Sequence, residues 1–173
     1  MCSLESLKID LKGLKQGVNT LCYSLDDAFF EALASAEITH GEVAVTLTIN
    51  RIEDIFEVHC HAEGAVIVPC DLCLDDMQQP ITVDDEFVVK FGEETSEEDD
   101  LVVVAEDEGI LDIAWHLYES IALAVPIRHV HEPGKCNPAM IEKLREHSAA
   151  RSDEETPEEI DPRWAALKKL KIE

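Results

Sequence analysis

Apolar and polar residues alternate most clearly at 42–49, where Val43, Val45, Leu47 and Ile49 interleave with Glu42, Ala44, Thr46 and Thr48. A period of two puts each set on its own side of an extended chain, so this stretch predicts a half-buried strand. Leu7, Ile9 and Leu11 repeat the pattern on a smaller scale, and Gly13 to Gly17 reads as a turn into a second strand over 18–25. Asp26 and Asp27 offer caps for a short helix near 26–35, with Phe29, Phe30 and Leu33 close to one face. A polar turn at 51–54 leads into a long β-like stretch, 55–69, in which Gly64 predicts a bulge or bend. Residues 70–79 read as irregular, and 81–91 as a strand carrying Val83, Phe87 and Val89. Leu101 to Ala105 predicts one more short strand. From 110 to 125 the period changes. Ile113, Leu117, Ile121 and Ala124 recur three or four apart, which predicts a helix closed by Pro126. A loop over 126–137 and a helix from Pro138, with Met140, Ile141 and Leu144 apolar, complete the ordered part.

These elements predict an α+β fold: a curved, mainly antiparallel sheet from residues 4–105, one long helix packed on it, and helical C-terminal segments. The domain reading is a single α+β domain at 1–147, an acidic linker at 148–160 and a short basic helix at 161–173. Asp161 is a good N-cap for that last helix, and Pro162 suits its first position. Trp164, Leu167 and Leu170 share a face roughly one turn apart.

Charge changes the picture more than size does. The chain carries 38 acidic residues against 14 basic ones, a formal −24 in 173 residues. Such a field repels phosphate backbones and anionic membranes and attracts basic partners. Nine carboxylates and no base fall within 93–108, and the first part of that run predicts a mobile surface loop. Any contact with nucleic acid must therefore use a local basic patch. The concentrated one is Arg163, Lys168, Lys169 and Lys171, interleaved with Trp164. No run of eighteen apolar residues suggests a membrane span. The first residues have no basic segment leading into an apolar one, so a cytoplasmic address is the expectation.

Six cysteines stand at 2, 22, 60, 70, 73 and 136. Without a secretory signal, metal binding or free thiols are the expected uses. Cys70-Asp71-Leu72-Cys73 is a C-x-x-C, whose two thiolates can turn back onto one ion. Zn²⁺ takes four such ligands in a tetrahedron. The loop after the predicted long helix offers His129, His131 and Cys136 to complete the set. Cys70, Cys73, His131 and Cys136 would form a Cys₃His site clipping the β region to the helical region; reduced, unliganded cysteines are the other reading.

A thioredoxin-type redox pair needs the motif at the start of a helix, whose dipole lowers the thiol pKa. Here a strand is predicted to follow, and Asp71, Asp75 and Asp76 oppose ionisation. Cys-His hydrolysis at Cys136 lacks an accompanying oxyanion-hole glycine motif. His59 and His61 share a strand face with Glu57 and Glu63 while Cys60 faces the other way, which reads as a wet sheet face over a buried cysteine. No Walker loop, dinucleotide fingerprint or H-E-x-x-H motif is present.

Val68-Pro69-Cys70-Asp71-Leu72-Cys73-Leu74 resembles the C-x-R-C-L element of the YceD family, whose members are described as large ribosomal RNA subunit accumulation proteins. Leu123-Ala124-Val125-Pro126-Ile127, with His131 and Cys136 beyond it, resembles that family's Leu-Ala-Leu-Pro segment and downstream His-x₄-Cys. Asp161-Pro162-Arg163-Trp164 with Leu167 and Leu170 resembles its terminal motif. Leu72 replaces the family's arginine, and an additional C-terminal cysteine pair common in the family is missing, so a histidine is needed if zinc binds. The resemblance implies a non-enzymatic factor supporting large-subunit ribosomal RNA, metal binding, and a ribosomal protein or ribosomal RNA as partner, with no small-molecule substrate. On that reading the acidic body holds a basic ribosomal protein, and Arg163, Trp164, Lys168, Lys169 and Lys171 touch RNA or the partner. A zinc-clipped structural adaptor of another assembly is the alternative.

Overall fold

The computed structural model describes residues 4–33, 38, 40–98 and 101–147. After a 3-10 turn at Leu4–Leu7 come β1 (Lys8–Asp10), β2 (Gly17–Leu25), α1 (Asp27–Leu33), β3 (His40–Ile52) and β4 (Ile55–Pro69). Then follow β5 (Asp76–Gly92), β6 (Ser96–Glu98), β7 (Leu101–Ala105), β8 (Ile110–Asp112), α2 (Ala114–Ala124) and α3 (Pro138–His147). The class is α+β. Six strands form one mixed sheet in the order β2-β3-β4-β5-β7-β6, antiparallel except where β7 runs parallel to β5. Among the described residues no helix is long and apolar enough to cross a membrane.

The period-two pattern decides which face is buried. Val43, Val45, Leu47 and Ile49 on β3 meet Phe56, Val58, Cys60 and Ala62 on β4 and Ile81, Val83, Phe87 and Val89 on β5 in one apolar core. Glu57, His59, His61 and Glu63 occupy the exposed face of β4. Phe29 and Phe30 of α1 close part of the buried face. Leu117 and Ile121 of α2, with Ile113 just before it, close another part. Asp85, the polar member of the inward row on β5, ties α2 in place. Its Oδ2 lies 2.9 Å from His116 Nε2 and accepts a 2.9 Å bond from Ser120 Oγ.

Several expectations change. The stretch predicted as one helix from 110 to 125 begins instead as strand β8. Ile9 pairs with Leu111 in a two-stranded ribbon with β1, separate from the main sheet, which buries both side chains. The helix starts only after Asp112, whose carboxylate accepts the Ala114 N–H at 3.0 Å. Helix α2 is therefore 11 residues long, shorter than the stretch expected from 110 to 125, while the helix expected from Pro138 is present as α3. Asp76 to Gln79, predicted irregular, extend β5 because Val66 to Pro69 supply their pairing partners. The first part of the acidic run, predicted as loop, holds strand β6 at Ser96–Glu98, while the short strand predicted at Leu101 to Ala105 is present as β7.

Gly64 makes no bulge, and the β3–β4 register runs unbroken past it. A Cβ there would collide with the Glu42 carbonyl oxygen and stand 2.7 Å from Val43 Cα. The glycine permits close backbone approach instead of an extra residue.

Candidate metal centre

Strands β4 and β5 are joined by the loop 70–75, which carries the C-x-x-C. Pro69 pairs with Asp76 at its base, and the Cys70 N–H reaches the Asp75 carbonyl at 2.9 Å. The Leu74 N–H bonds the Cys70 carbonyl at 2.9 Å, with Leu74 itself in the left-handed region at φ 63. This closes a tight knuckle, within which the Leu72 N–H points at Cys70 Sγ, 3.5 Å away. Both cysteine side chains face inward and are buried.

The second half of the cluster comes from the chain after α2. Val125 ends the helix in an extended conformation, and Pro126 follows it. The returning loop is fastened to the knuckle by a reciprocal pair: Asp71 N–H to the His129 carbonyl at 3.0 Å, and His129 N–H to Asp71 Oδ2 at 2.8 Å. The His129 ring is held locally, with Nδ1 2.9 Å from the Pro126 carbonyl and Nε2 3.7 Å from Asp71 Oδ1. His131, two residues on, is the histidine that reaches the sulfurs. Beyond it, Gly134 at φ 85 helps the turn that brings Cys136 back. Asn137 then accepts the Ala139 N–H at 3.1 Å through Oδ1, with Pro138 first in α3. That is the expected start of a helix. Its Nδ2 also donates to Asp75 Oδ2 at 3.2 Å, tying α3 to the knuckle.

The donor atoms of Cys70, Cys73, His131 and Cys136 all lie within 4.8 Å of one another. Cys70 Sγ and Cys136 Sγ are 3.9 Å apart, and His131 Nδ1 is 3.4 Å from Cys73 Sγ and 4.0 Å from Cys136 Sγ. Metal–sulfur bonds of about 2.3 Å and metal–nitrogen bonds of about 2.0 Å at tetrahedral angles put sulfurs about 3.8 Å apart and sulfur and nitrogen about 3.5 Å apart. These three edges lie within about 0.5 Å of those lengths. Three sulfurs and an imidazole suit a borderline or soft divalent ion.

The electrostatics agree with that chemistry. Burial pushes the Cys70 thiol up, but backbone N–H groups of Cys73, His131 and Leu72 and the His131 side chain outweigh it and bring the group to about 6. Burial, and then the neighbouring Cys70 and Cys73 sulfurs, push Cys136 up to about 11. Without a cation the cluster favours one thiolate and resists a further one; a divalent ion reverses that balance.

Other candidates stand apart from this cluster. His59 and His61 lie on the exposed sheet face, each against a carboxylate: His59 Nε2 is 2.9 Å from Glu86 Oε1, and His61 Nδ1 is 2.6 Å from Asp84 Oδ1. Cys60 is buried beneath them and Cys22 is exposed. The C-x-x-C runs into strand β5, not into a helix. Arg163, Trp164, Lys168, Lys169 and Lys171 lie outside the described residues, as do Cys2, the linker 148–160 and the helix expected at 161–173. Sequence reasoning missed the Asp71–His129 clamp and the Asp85–His116–Ser120 tie. Each joins residues far apart in the chain, and no local pattern marks them.

A family model described as "Large ribosomal RNA subunit accumulation protein YceD" matches residues 58–171, a span that includes all four members of the cluster and the basic segment. No curated protein and no solved structure matches the chain.

Proposed function

Since the chain belongs to the YceD family of large ribosomal RNA subunit accumulation proteins, we propose that it is a non-enzymatic factor that supports large-subunit ribosomal RNA by binding a ribosomal component. The family match over 58–171 is the observation that carries this reading. The cluster fits a structural role within it. Four protein donors complete a tetrahedral shell and leave no open position for substrate, which is the pattern of structural zinc. We assign the ion as Zn²⁺, held by Cys70, Cys73, His131 and Cys136. When bound, it supplies a cross-link between the β4–β5 loop and the chain leading into α3, and it neutralises thiolate charge.

The partner is a basic ribosomal protein or ribosomal RNA. A chain of net −24, its acidic residues concentrated outside the basic tail, attracts the former. For the latter, the cations Arg163, Lys168, Lys169 and Lys171, with Trp164 for stacking, give a local site. In this scheme residues 1–147 are the α+β domain, 148–160 a linker and 161–173 a basic helix.

The test is the ratio of large- to small-subunit ribosomal RNA in cells depleted of the protein. A selective fall in the large-subunit RNA, restored by the wild-type chain, is the expected result. An unchanged ratio together with slowed growth would overturn the ribosomal reading and leave a zinc-clipped adaptor of another assembly.

A further inference from the structure

Helix α3 is amphipathic, yet none of its residues is buried. Met140 and Ile141 are half-buried, and Leu144 is 46% exposed on a helix that is only ten residues long. Beside it runs a groove of about 500 Å³, walled by Leu72 of the knuckle, Val130 and Pro133 of the returning loop, and Ile141 and Arg145 of α3. His131 and Cys136 also line it, so the groove lies directly against the metal cluster. A short helix with its apolar side uncovered gains little from its own hydrogen bonds and needs a packing partner.

The chain carries a suitable partner a short distance on. Trp164, Leu167 and Leu170 recur every three residues, behind an Asp-Pro helix start. The intervening stretch, 148–160, reaches up to about 45 Å when extended, against about 15 Å for the length of α3. Charge favours the return as well. Residues 161–173 hold four bases and two acids, whereas the rest of the chain holds ten bases and 36 acids. At the groove itself Glu132 is paired with Lys135 at 2.7 Å and Arg145 lines the wall, so the local attraction comes from Asp71 and Asp75 in the adjoining knuckle.

We infer that in the free protein residues 161–171 fold back onto this groove, Trp164, Leu167 and Leu170 covering Leu72, Ile141 and Leu144. The apolar side of α3 is thereby closed within one chain, and the concentrated cations of the sequence are laid beside the metal centre. The inference stands on the groove and the chain that follows it and does not require the ribosomal reading.

A single-tryptophan protein tests it without any nucleic acid present. Trp115 is 52% exposed, so Trp115→Phe leaves Trp164 as the sole reporter at little cost to the fold. The zinc-loaded Trp115→Phe chain should show blue-shifted Trp164 emission and slowed acrylamide quenching relative to the isolated 161–173 peptide, independent of protein concentration. Adding Leu144→Asp, a change at an exposed position that spares the core, should lower the docked-to-undocked ratio about tenfold (about 1.4 kcal/mol) and move both signals toward the peptide's. Peptide-like emission and quenching in the intact chain would overturn the proposal. So would protection that Leu144→Asp leaves unchanged, which places the segment elsewhere, or protection lost on dilution, which places it on a second copy. Loss of the ribosomal RNA phenotype on depletion would bear on the proposed function and leave this docking standing.

Discussion

Replacing Gly64 by alanine tests the reading of the β3–β4 pair most directly. The added methyl would collide with the Glu42 carbonyl oxygen and meet Val43 Cα at 2.7 Å, both backbone atoms of the neighbouring strand. No rotamer change relieves such a contact, so the two strands must part by about 1 Å at this point. Overpacking in a core costs about 1–3 kcal/mol, and one or two weakened ladder bonds add about 1 kcal/mol each. Alanine recovers about 0.5–1 kcal/mol through its lower unfolded-state entropy. The net loss is about 3 kcal/mol, or a fall in Tm of about 6–12 °C for a chain of this size. Thermal unfolding followed by circular dichroism, at fixed zinc, reads it. Gly17→Ala is the comparison: its Cβ meets nothing within 4 Å, and only the φ of 87 opposes it, at about 1 kcal/mol. A Gly64→Ala protein no less stable than Gly17→Ala would refute the close-approach argument and revive a flexible bend at residue 64.

Three further outcomes are expected. Elemental analysis should find about one zinc per chain, lost in Cys70→Ser and Cys136→Ser, with chelator lowering the Tm of the wild type and leaving that of Cys136→Ser unmoved; equal metal content in all three would reject the quartet. Asp71→Ala removes the side-chain half of the clamp on His129 but no ligand, so zinc stoichiometry should hold while affinity, read by chelator competition, falls about tenfold or more. Burial, and then the charges of Asp85 and Asp84, push the Cys60 thiol from 9.0 up to about 11. The folded chain therefore keeps a proton that the unfolded chain releases, so the associated stability is fully present below pH 9 and is lost on rising to about pH 11. Cys60→Ala should flatten that part of the stability–pH curve in denaturant titrations, and an unchanged slope would show that other groups set it.

Periodicity made the centre of the fold legible. Val43 to Ile49 and Phe56 to Ala62 alternate because one face of each strand is buried and the other wet, and that is a local property of sequence. Ile110 to Asp112 defeated the same reasoning. Three residues carry too little periodicity to separate strand from helix, and what makes them a strand is Lys8 to Asp10, a partner remote in sequence. Asp76 to Gln79 were hidden for the same reason, their polarity and the following proline masking a strand set by β4. At the metal cluster, spacing alone brought Cys70 and Cys73 together. That His131 and not His129 reaches the sulfurs depends on Asp71, whose carboxylate and backbone claim residue 129 for the clamp.

The ribbon of β1 and β8 also has a consequence in time. Strands β2 to β5 form a meander in which each strand finds its partner among near neighbours in sequence, so loop closure costs little at each step. Lys8 to Asp10 have no such partner, since theirs are Ile110 to Asp112. During vectorial synthesis the meander is complete in sequence before β8 is made, so β1, made ahead of the meander, is paired only after it. Leu7, Ile9 and Leu11, fully or almost fully buried at the end, spend that interval uncovered. That apolar segment is then a part of the nascent chain in need of protection from other chains.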